Sequence, residues 1–352
     1  MSDDTPRAAK TTYQWSRGRI ALGVAIVLAA GAFIGVVVRR EVAAFQQAAE
    51  ADDLYSRLLL SVTEEHAAQF NLDNLTIARS EISFGGPPKD GIPAISKPEI
   101  VDIGASEKLR DDDRMIGVVV DGLARAYPIR LLMYHEAVND TIGDTPITVV
   151  YCPLCDSVSV VDRRLDGTVH EFGISGLLTN SNVLLYDRTD DSLWSQVGLT
   201  AISGPNAGRS LKHLPWEITT AAAWREAHPD STVMTFNTGF NRDYNQNPYP
   251  SYFDSDDSLL FPVSHEDDRF SRREQVIGVK LDDVAKAYSI AAIREAPDGV
   301  LRDSIGGKTV VLQAGSDGKS VRVVEAPPGA QTVHTFWFAW AAFHPDTAVY
   351  GR

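Results

Sequence analysis

The chain has 352 residues, of which 44% are hydrophobic and 23% charged, a composition typical of folded globular proteins rather than disordered ones. Its length suits roughly two domains of ~100–200 residues each. The formal net charge of −14 provides no overall attraction to nucleic acid, so we expect no nucleic-acid partner. With 2 cysteines, the chain excludes a disulfide-rich scaffold and a self-contained four-thiolate metal site.

An uncharged apolar segment near the N-terminus predicts a membrane anchor. Residues 20–38 are long enough, at ~1.5 Å per residue, to cross a ~30 Å hydrocarbon layer as a helix. Basic residues are in excess before this segment, which predicts a cytoplasmic tail over residues 1–19 and a main domain in the periplasm. A cleaved signal peptide is the alternative, but its apolar region usually has only ~7–15 residues. The sequence therefore predicts a protein of the inner membrane with its N-terminus inside.

Residues 39–80 are predicted as a juxtamembrane helix or stalk. Alanine, glutamine and glutamate dominate the first half, and leucines follow in the second. The apolar pattern is not sustained over several heptads, which favours a spacer helix lying on the domain over a dimerising stalk.

The rest of the chain contains an internal repeat. Residues 115–143 (MIGVVVDGLARAYPIRLLMYHEAVNDTIG) match residues 276–306 (VIGVKLDDVAKAYSIAAIREAPDGVLRDSIG). Farther along, residues 224–233 (WREAHPDSTV) match residues 340–349 (WAAFHPDTAV). Two matching blocks in the same order indicate a duplicated unit.

The residue pattern predicts the shape of each unit. β-Branched runs flank Asp121-Gly122, a hairpin turn, and a short helix is expected over residues 130–139. We therefore predict an α+β fold that is mostly β, in which two pseudo-symmetric repeats of hairpin, short helix and strand share one core. Repeat one spans residues 81–262, and the shorter repeat two spans residues 263–352.

The candidate residues for catalysis or metal binding occur only in the first copy. Cys152-Pro153-Leu154-Cys155 lies between Gly143 and Asp166, a stretch about half as long in the second copy, which predicts that the second copy has lost a hairpin. His135-Glu136 is replaced there by Glu295-Ala296. The candidate site is therefore expected in repeat one.

The spacing of the two cysteines favours a metal site. Both flanks are strand-like, so the pair is predicted on a strand-to-strand turn, as in a metal knuckle. With His135 as third ligand, two thiolates and an imidazole suit one Cu(I) or Zn(II) ion. Asp156 and His170 are further candidate ligands, and Glu136 is expected to orient His135. No motif for a nucleotide cofactor is present.

Other interpretations of the cysteines stay open. A structural disulfide suits an oxidising compartment, and would make the chain a ligand-binding or assembly module. A redox-active dithiol requires the first cysteine at a helix N-terminus, where the dipole lowers its pKa, and would act on a protein partner outside the cytoplasm. Inert thiols are the fourth interpretation.

Two polar segments are candidate ligand-binding elements. Ser175, Asn180 and Ser181 lie in a polar loop that either presents hydroxyls and amides to a ligand or is a plain connection. Tyr244 and Tyr249 belong to an aromatic segment that is predicted to cover the groove between the repeats or to bind a flat ligand.

Eight short motifs follow one another in an order that resembles the bacterial domain-of-unknown-function family 3179. They are Gly85–Ile95, Ala124–Ile129, His135-Glu136, Val138–Thr141, Tyr151–Cys155, Ser175–Leu177, Leu193–Gln196 and Arg242–Tyr244. The resemblance covers residues 84–352 and implies the fold and an extracytoplasmic placement, but no reaction. Asp156 departs from the pattern, which has a small residue, usually glycine, after the second cysteine. We expect this aspartate either to strain the turn or to add a carboxylate beside the metal.

Overall fold

The computed structural model describes residues 53–198, 200–250, 252–253 and 259–351. The predicted cytoplasmic tail and membrane helix, residues 1–38, lie outside the described residues, as does the start of the juxtamembrane segment. Among the helices that are described, none has the length and apolarity needed to span a membrane.

Short helices and many strands make up the described chain. The α-helices are α1 (Asp53–Ala67), α2 (Ile129–His135), α3 (Ala221–Ala227), α4 (Ile290–Glu295) and α5 (Trp337–Phe343). The 3₁₀ turns are Arg79–Glu81, Ile103–Ala105, Pro153–Cys155 and Pro297–Gly299. The first strands are β1 (Ile82–Phe84), β2 (Ile95–Ser96), β3 (Ile100–Asp102), β4 (Arg114–Val120), β5 (Leu123–Pro128), β6 (Ala137–Ile142), β7 (Thr145–Cys152), β8 (Ser157–Asp162), β9 (Arg164–Leu165), β10 (Thr168–Val169), β11 (Phe172–Thr179) and β12 (Asn182–Asp187). The later strands are β13 (Leu193–Ser195), β14 (Thr200–Ala201), β15 (Lys212–His213), β16 (Trp216–Thr220), β17 (Thr232–Met234), β18 (Gln275–Leu281), β19 (Val284–Ser289), β20 (Val300–Ile305), β21 (Lys308–Ala314), β22 (Val321–Glu325), β23 (Gln331–Phe336) and β24 (Ala348–Val349). The predicted α+β class with a predominance of strands is confirmed.

Strands of the two repeats interleave in two large sheets. One sheet has the order β20-β21-β22-β16-β4-β5-β17-β3, and the other has the order β2-β6-β7-β8-β23-β18-β19-β24, with β15 paired to β8. Each sheet therefore combines the first hairpin of one repeat with the second hairpin of the other. A single apolar cluster draws residues from both repeats, among them Ile116 and Ile277, so the repeats share one core.

Equivalent elements recur at equivalent places in the two copies. The elements β4, β5, α2, β6 and β7 of the first copy correspond to β18, β19, α4, β20 and β21 of the second. The strands β17 and β24 each pair in parallel with the second strand of the first hairpin in their copy. Arg125 pairs with Asp140 at 2.8 Å, as Lys286 pairs with Asp303 at 2.5 Å. The shared residues are therefore scaffold.

A close contact between a glycine and a tryptophan is repeated in the same way. The indole of Trp224 packs over Gly117, and the indole of Trp340 packs over Gly278. A Cβ atom would lie 2.1 Å from the first ring and 2.2 Å from the second, so each strand requires glycine at this position. In both copies the histidine of the His-Pro-Asp segment packs on the same indole, with ring centroids 4.1 Å apart.

Two local predictions are corrected by the strand pairing. The helix predicted over residues 130–139 ends at His135, because Glu136 adopts φ 57° and ψ −30° and residues 137–142 pair with β7 as β6. The second copy has not lost a cysteine-bearing hairpin. Its turn between β21 and β22, residues 315–320, stands where the cysteine turn stands between β7 and β8.

An additional layer distinguishes the first copy. Between β8 and β16 the chain forms β11 to β14, which join β1 in a five-stranded sheet. Helix α1 lies against this sheet, with Ala67 buried and the Thr63 hydroxyl accepting a hydrogen bond from the Phe84 amide at 3.2 Å. A second apolar cluster, which contains both cysteines, draws residues from this sheet and from the nine-stranded sheet. The cysteine turn is therefore enclosed by a layer that the second copy lacks.

We predict that Gly117→Ala lowers the free energy of unfolding by about 1–3 kcal/mol, because the added methyl overlaps Trp224 in a packed core. Gly104→Ala is the matched control, since its added Cβ meets no atom within 4 Å. Urea unfolding of the purified full-length variants measures both. Equal stability of the two variants would contradict the packing argument.

Candidate dithiol site

The two cysteines lie on a tight turn between β7 and β8. Cys152 ends β7 and is the N-cap of the 3₁₀ turn Pro153–Cys155, whose first residue is a proline with a fixed φ. Asp156 closes the turn in the left-handed conformation, at φ 44°. Glycine adopts this conformation without steric penalty, which accounts for the small residue expected after the second cysteine. The position of the cysteines on a turn between two strands was predicted from the sequence. The 3₁₀-helical geometry of that turn was not predicted.

Both thiols are free and buried, with Cys152 1% and Cys155 0% exposed. Burial alone would raise the pKa of Cys152, but hydrogen bonds from the Cys155 thiol and from the amides of Val183, Cys155 and Leu154 outweigh burial and hold the pKa below its ordinary value. Burial and the neighbouring Cys152 raise the pKa of Cys155 well above its ordinary value. The Cys155 sulfur also lies 3.3 Å from the Ser181 carbonyl oxygen. The arrangement suits one thiolate, Cys152, and one thiol, Cys155.

Glu136 and two tyrosines surround this pair. Burial and the charge of Cys152 raise the pKa of the Glu136 carboxyl well above its ordinary value, so the protonated form is favoured. Tyr249 lies near enough that burial, Glu136 and Cys152 all raise its pKa. The Tyr252 hydroxyl donates to the Leu154 carbonyl at 2.7 Å. The aromatic segment therefore covers the cysteine turn.

His135 is fully hydrogen-bonded within its own surroundings. Its Nδ1–H donates to the Pro93 carbonyl at 2.8 Å, so Nε2 is the acceptor for the Tyr244 hydroxyl at 2.7 Å. The Thr238 hydroxyl lies 2.5 Å from the Tyr244 hydroxyl oxygen. Burial lowers the pKa of His135, which favours this neutral ring. Tyr244 therefore holds the His135 ring in place, whereas Tyr249 and Tyr252 cover the cysteine turn.

The other candidate ligands are also engaged elsewhere. His170 Nδ1 contacts the buried Asp187 carboxylate, and both oxygens of Asp156 accept hydrogen bonds from Arg114, Tyr151 and Gln275. Across the described parts of the chain, no group of three or more His, Cys, Asp and Glu side chains is arranged to hold a metal ion. Binding by His135 together with both cysteines therefore stays a prediction.

Asp156 connects the cysteine turn to both repeats. Arg114, at the start of β4, makes a two-pronged ion pair with its carboxylate at 3.0 and 3.2 Å. Gln275, which holds the equivalent position at the start of β18, donates to the same carboxylate at 2.6 Å. His334 Nδ1 donates to the Asp156 carbonyl at 2.8 Å. This carboxylate, which was predicted either to strain the turn or to lie beside a metal, joins the cysteine turn to both repeats, and its place beside a metal stays a prediction.

The polar loop contributes to the site through its turn. Ser181 is buried beside Cys155, whereas Asn180 bonds Ser264 and Ala342, and Ser175 bonds backbone groups of its own hairpin. A buried hydrogen-bond network beside the cysteines was not predicted from the sequence. In it, Gln196 Oε1 accepts hydrogen bonds from the Ser157 hydroxyl at 2.6 Å and from the Asn182 side-chain amide at 2.8 Å. The Asn182 side chain also hydrogen-bonds the Cys155 thiol. The motif Leu193–Gln196 drew attention to this segment in the sequence, but it did not indicate which groups its side chains would contact.

The chain belongs to the family described as "Protein of unknown function (DUF3179)", whose model matches residues 89–334. The expected family is thereby confirmed. No curated protein matches the chain. No solved structure matches it either.

We predict that Asp156→Asn lowers the free energy of unfolding at pH 7 by about 2–3 kcal/mol. This is less than the ~3–5 kcal/mol of a fully buried pair, because solvent reaches the Arg114 guanidinium. Burial would raise the pKa of Asp156, but Arg114, His334 and the hydrogen bonds outweigh it and lower the pKa. The stabilisation is therefore complete above the ordinary aspartate pKa of ~3.9 and is lost as pH falls through the folded pKa.

Urea unfolding of both proteins between pH 3 and pH 7, a range that includes the ordinary aspartate pKa of ~3.9, measures this difference in stability. Asp111→Asn is the matched control, because Asp111 pairs with Arg225 on the surface with its side chain 79% exposed. Loss of that pair should change stability by at most ~0.5 kcal/mol. If the difference in the free energy of unfolding between wild type and Asp156→Asn grew as the pH falls, this explanation would be contradicted.

Proposed function

We propose that this protein is a redox-active dithiol protein in which Cys152 is the nucleophilic thiolate and Cys155 the thiol that resolves the bond. The observation that supports this best is the environment of Cys152, whose sulfur accepts hydrogen bonds from three backbone amides and from a free neighbouring thiol. Stabilising the thiolate stabilises the reduced form, which makes the disulfide easier to reduce.

The local backbone supplies what the redox interpretation requires. Strand-like flanks argued against a helix N-terminus at the first cysteine, but the 3₁₀ turn places Cys152 at its N-cap, with the amides of Leu154 and Cys155 directed at the sulfur. These amides stabilise negative charge as the first turn of a longer helix does.

The proposed chemistry transfers two electrons from the pair to an oxidant. The Cys152 thiolate attacks the electrophilic atom of the oxidant, whose leaving group departs with the bonding electron pair and takes up a proton. Cys155 then loses its proton and attacks the Cys152 sulfur, which expels the second half of the oxidant and leaves a disulfide. Reduction by an external dithiol reverses the change.

The proposed location is the periplasmic side of the inner membrane, with the chain anchored by residues 20–38. The support is the uncharged length of that segment and the excess of basic residues before it. A dithiol in an oxidising compartment cycles between thiol and disulfide, whereas the cytosol keeps such pairs reduced.

We predict that the pair forms a disulfide reversibly, with a reduction potential above about −300 mV, the range in which disulfides exchange rather than persist as structural bonds. Full-length protein is equilibrated anaerobically in dithiothreitol and glutathione redox buffers, and the disulfide is counted by mass after alkylation. Cysteines that stay reduced in every buffer, or a potential below this range, would refute the proposal.

The single variants provide the matched control for the roles of the two thiols. In Cys155→Ser, Cys152 should react with iodoacetamide at a lower pH than free cysteine does, since the backbone amides remain. In Cys152→Ser, Cys155 should need a higher pH, because burial raises its pKa. The reverse order would contradict the assignment of the nucleophile.

Copper binding is the second candidate, because two thiolates on one turn satisfy Cu(I) by softness without a third ligand. We predict one Cu(I) per chain under anaerobic conditions, measured against a chromogenic chelator. Cys152→Ser should abolish binding and His135→Gln should retain it, since both ring nitrogens of His135 are already bonded. Equal and negligible copper in wild type and Cys152→Ser would remove this candidate.

A further inference from the structure

The burial of the two thiols limits what can react with them. Cys152 and Cys155 are 1% and 0% exposed, and Tyr252 is hydrogen-bonded over the turn. Thiol exchange with another folded protein requires its disulfide sulfur to touch the attacking sulfur, which this enclosure obstructs, whereas a small-molecule thiol such as dithiothreitol equilibrates with the pair slowly. A reagent that reaches the pair in the folded protein must therefore be small.

A cavity of about 30 Å³ lies in the same apolar layer as the cysteines. This volume accommodates one or two molecules of water size, given a minimum of ~10–15 Å³ for each. Val150 and Trp194 are part of its wall, whereas the two cysteines lie behind the wall and do not line the cavity. Cys152 follows Val150 by two positions on β7, so both side chains point from the same face of the sheet and are ~7 Å apart along the strand.

Two residues of the cavity wall carry a buried polar atom without a partner. Gln196 is 4% exposed, and its Nε2 has no hydrogen-bond partner among the described residues, since Ser157 and Asn182 take only its Oε1. Within that same part of the chain, Nδ1 of His213 is likewise buried without a partner. The other ring nitrogen bonds the Thr332 carbonyl, and burial lowers the pKa of His213 to about 4, so Nδ1 is an acceptor at neutral pH. The cavity thus offers one donor and one acceptor.

These features describe the occupant. It is uncharged, because none of the described residues that line the cavity carries an ionised group, and it both accepts and donates hydrogen bonds. It has the size of one or two water molecules. The buried network of Gln196 and Asn182 connects the cavity to the Cys155 thiol. Water meets this description, and so does hydrogen peroxide, which is also an oxidant of thiolates.

We propose that the oxidant of the Cys152–Cys155 pair is hydrogen peroxide, which reaches Cys152 through this cavity. The inference rests on the proposed redox function and names its substrate. Cys152 sulfur attacks one peroxide oxygen, the O–O bond breaks, and the departing hydroxide takes a proton from solvent to become water. The Cys155 thiol then condenses with the Cys152 sulfenic acid to give the disulfide and a second water. One peroxide is consumed for each disulfide.

The experiment compares peroxides of different size on full-length protein. Thiols and disulfide are counted by mass after acid quenching, and each rate is divided by the rate of the same reagent with the chain unfolded in urea. We expect the normalised rate for hydrogen peroxide to exceed that for cumene hydroperoxide at least tenfold. Equal normalised rates would overturn the inference.

Two neighbouring residues of β8 provide matched variants. Ser159 lines the cavity, whereas Val160 points to the other face and belongs to the core shared by the repeats. Ser159→Val narrows the cavity and should slow oxidation by hydrogen peroxide at least tenfold, while Val160→Ile should leave the rate unchanged. Gln196→Met removes the donor and should also slow it at least tenfold, which keeps the test open if Ser159→Val fails to fold. Equal rates in the cavity variants and in Val160→Ile would overturn the route.

The redox buffers separate the two proposals. If the disulfide forms reversibly with dithiothreitol but hydrogen peroxide shows no size preference, the peroxide inference is wrong and the redox function stands. If no disulfide forms in either arm, the redox function itself is wrong.

Discussion

The ion pair between Asp156 and Arg114 is the interaction on which the site depends. A carboxylate buried to 2% exposure is unfavourable unless charge and hydrogen bonds compensate it, and here Arg114, Tyr151 and Gln275 all do so. Arg114 and Gln275 begin the equivalent first strands of the two repeats. The compensation therefore requires both repeats to be assembled, and the residue that follows Cys155 takes its place only in the complete fold.

Two residues beside the cysteine pair, Glu136 and Asp156, have backbone strain from a positive φ angle. Asp156 has φ 44° and Glu136 has φ 57°, a region that residues other than glycine rarely adopt. In the second copy, Gly299 directly precedes β20 as Glu136 directly precedes β6, and it has φ 67°. The scaffold therefore requires a positive φ at this place, which the second copy meets with glycine and the first copy with Glu136. Strain of this kind persists where surrounding contacts over-determine it, as at functional sites, and here it places Glu136 beside Cys152.

Local patterns and the internal repeat predicted much of the fold and little of the site. Alternating β-branched residues and the Asp121-Gly122 turn predicted the hairpin of β4 and β5, and the repeat pointed to a common core. The helix boundary at Glu136 was beyond reach, because the pairing of β6 with β7 overrides local propensity. His135 looked available because a sequence shows no partner for it, whereas Pro93 and Tyr244 approach it from distant segments. Val183, Asn182 and Gln196 were missed for the same reason.

The difference between the copies explains why the proposed chemistry is confined to one of them. A turn between two strands in a two-layer core exposes one face to solvent, as residues 315–320 do largely in the second copy. In the first copy, β11 to β14 cover that face and exclude water from the thiols. Exclusion of water strengthens each amide contact to the Cys152 sulfur and, by the same enclosure, restricts what can approach. The proposed reactivity and the proposed selectivity for small molecules are therefore two consequences of a single inserted layer.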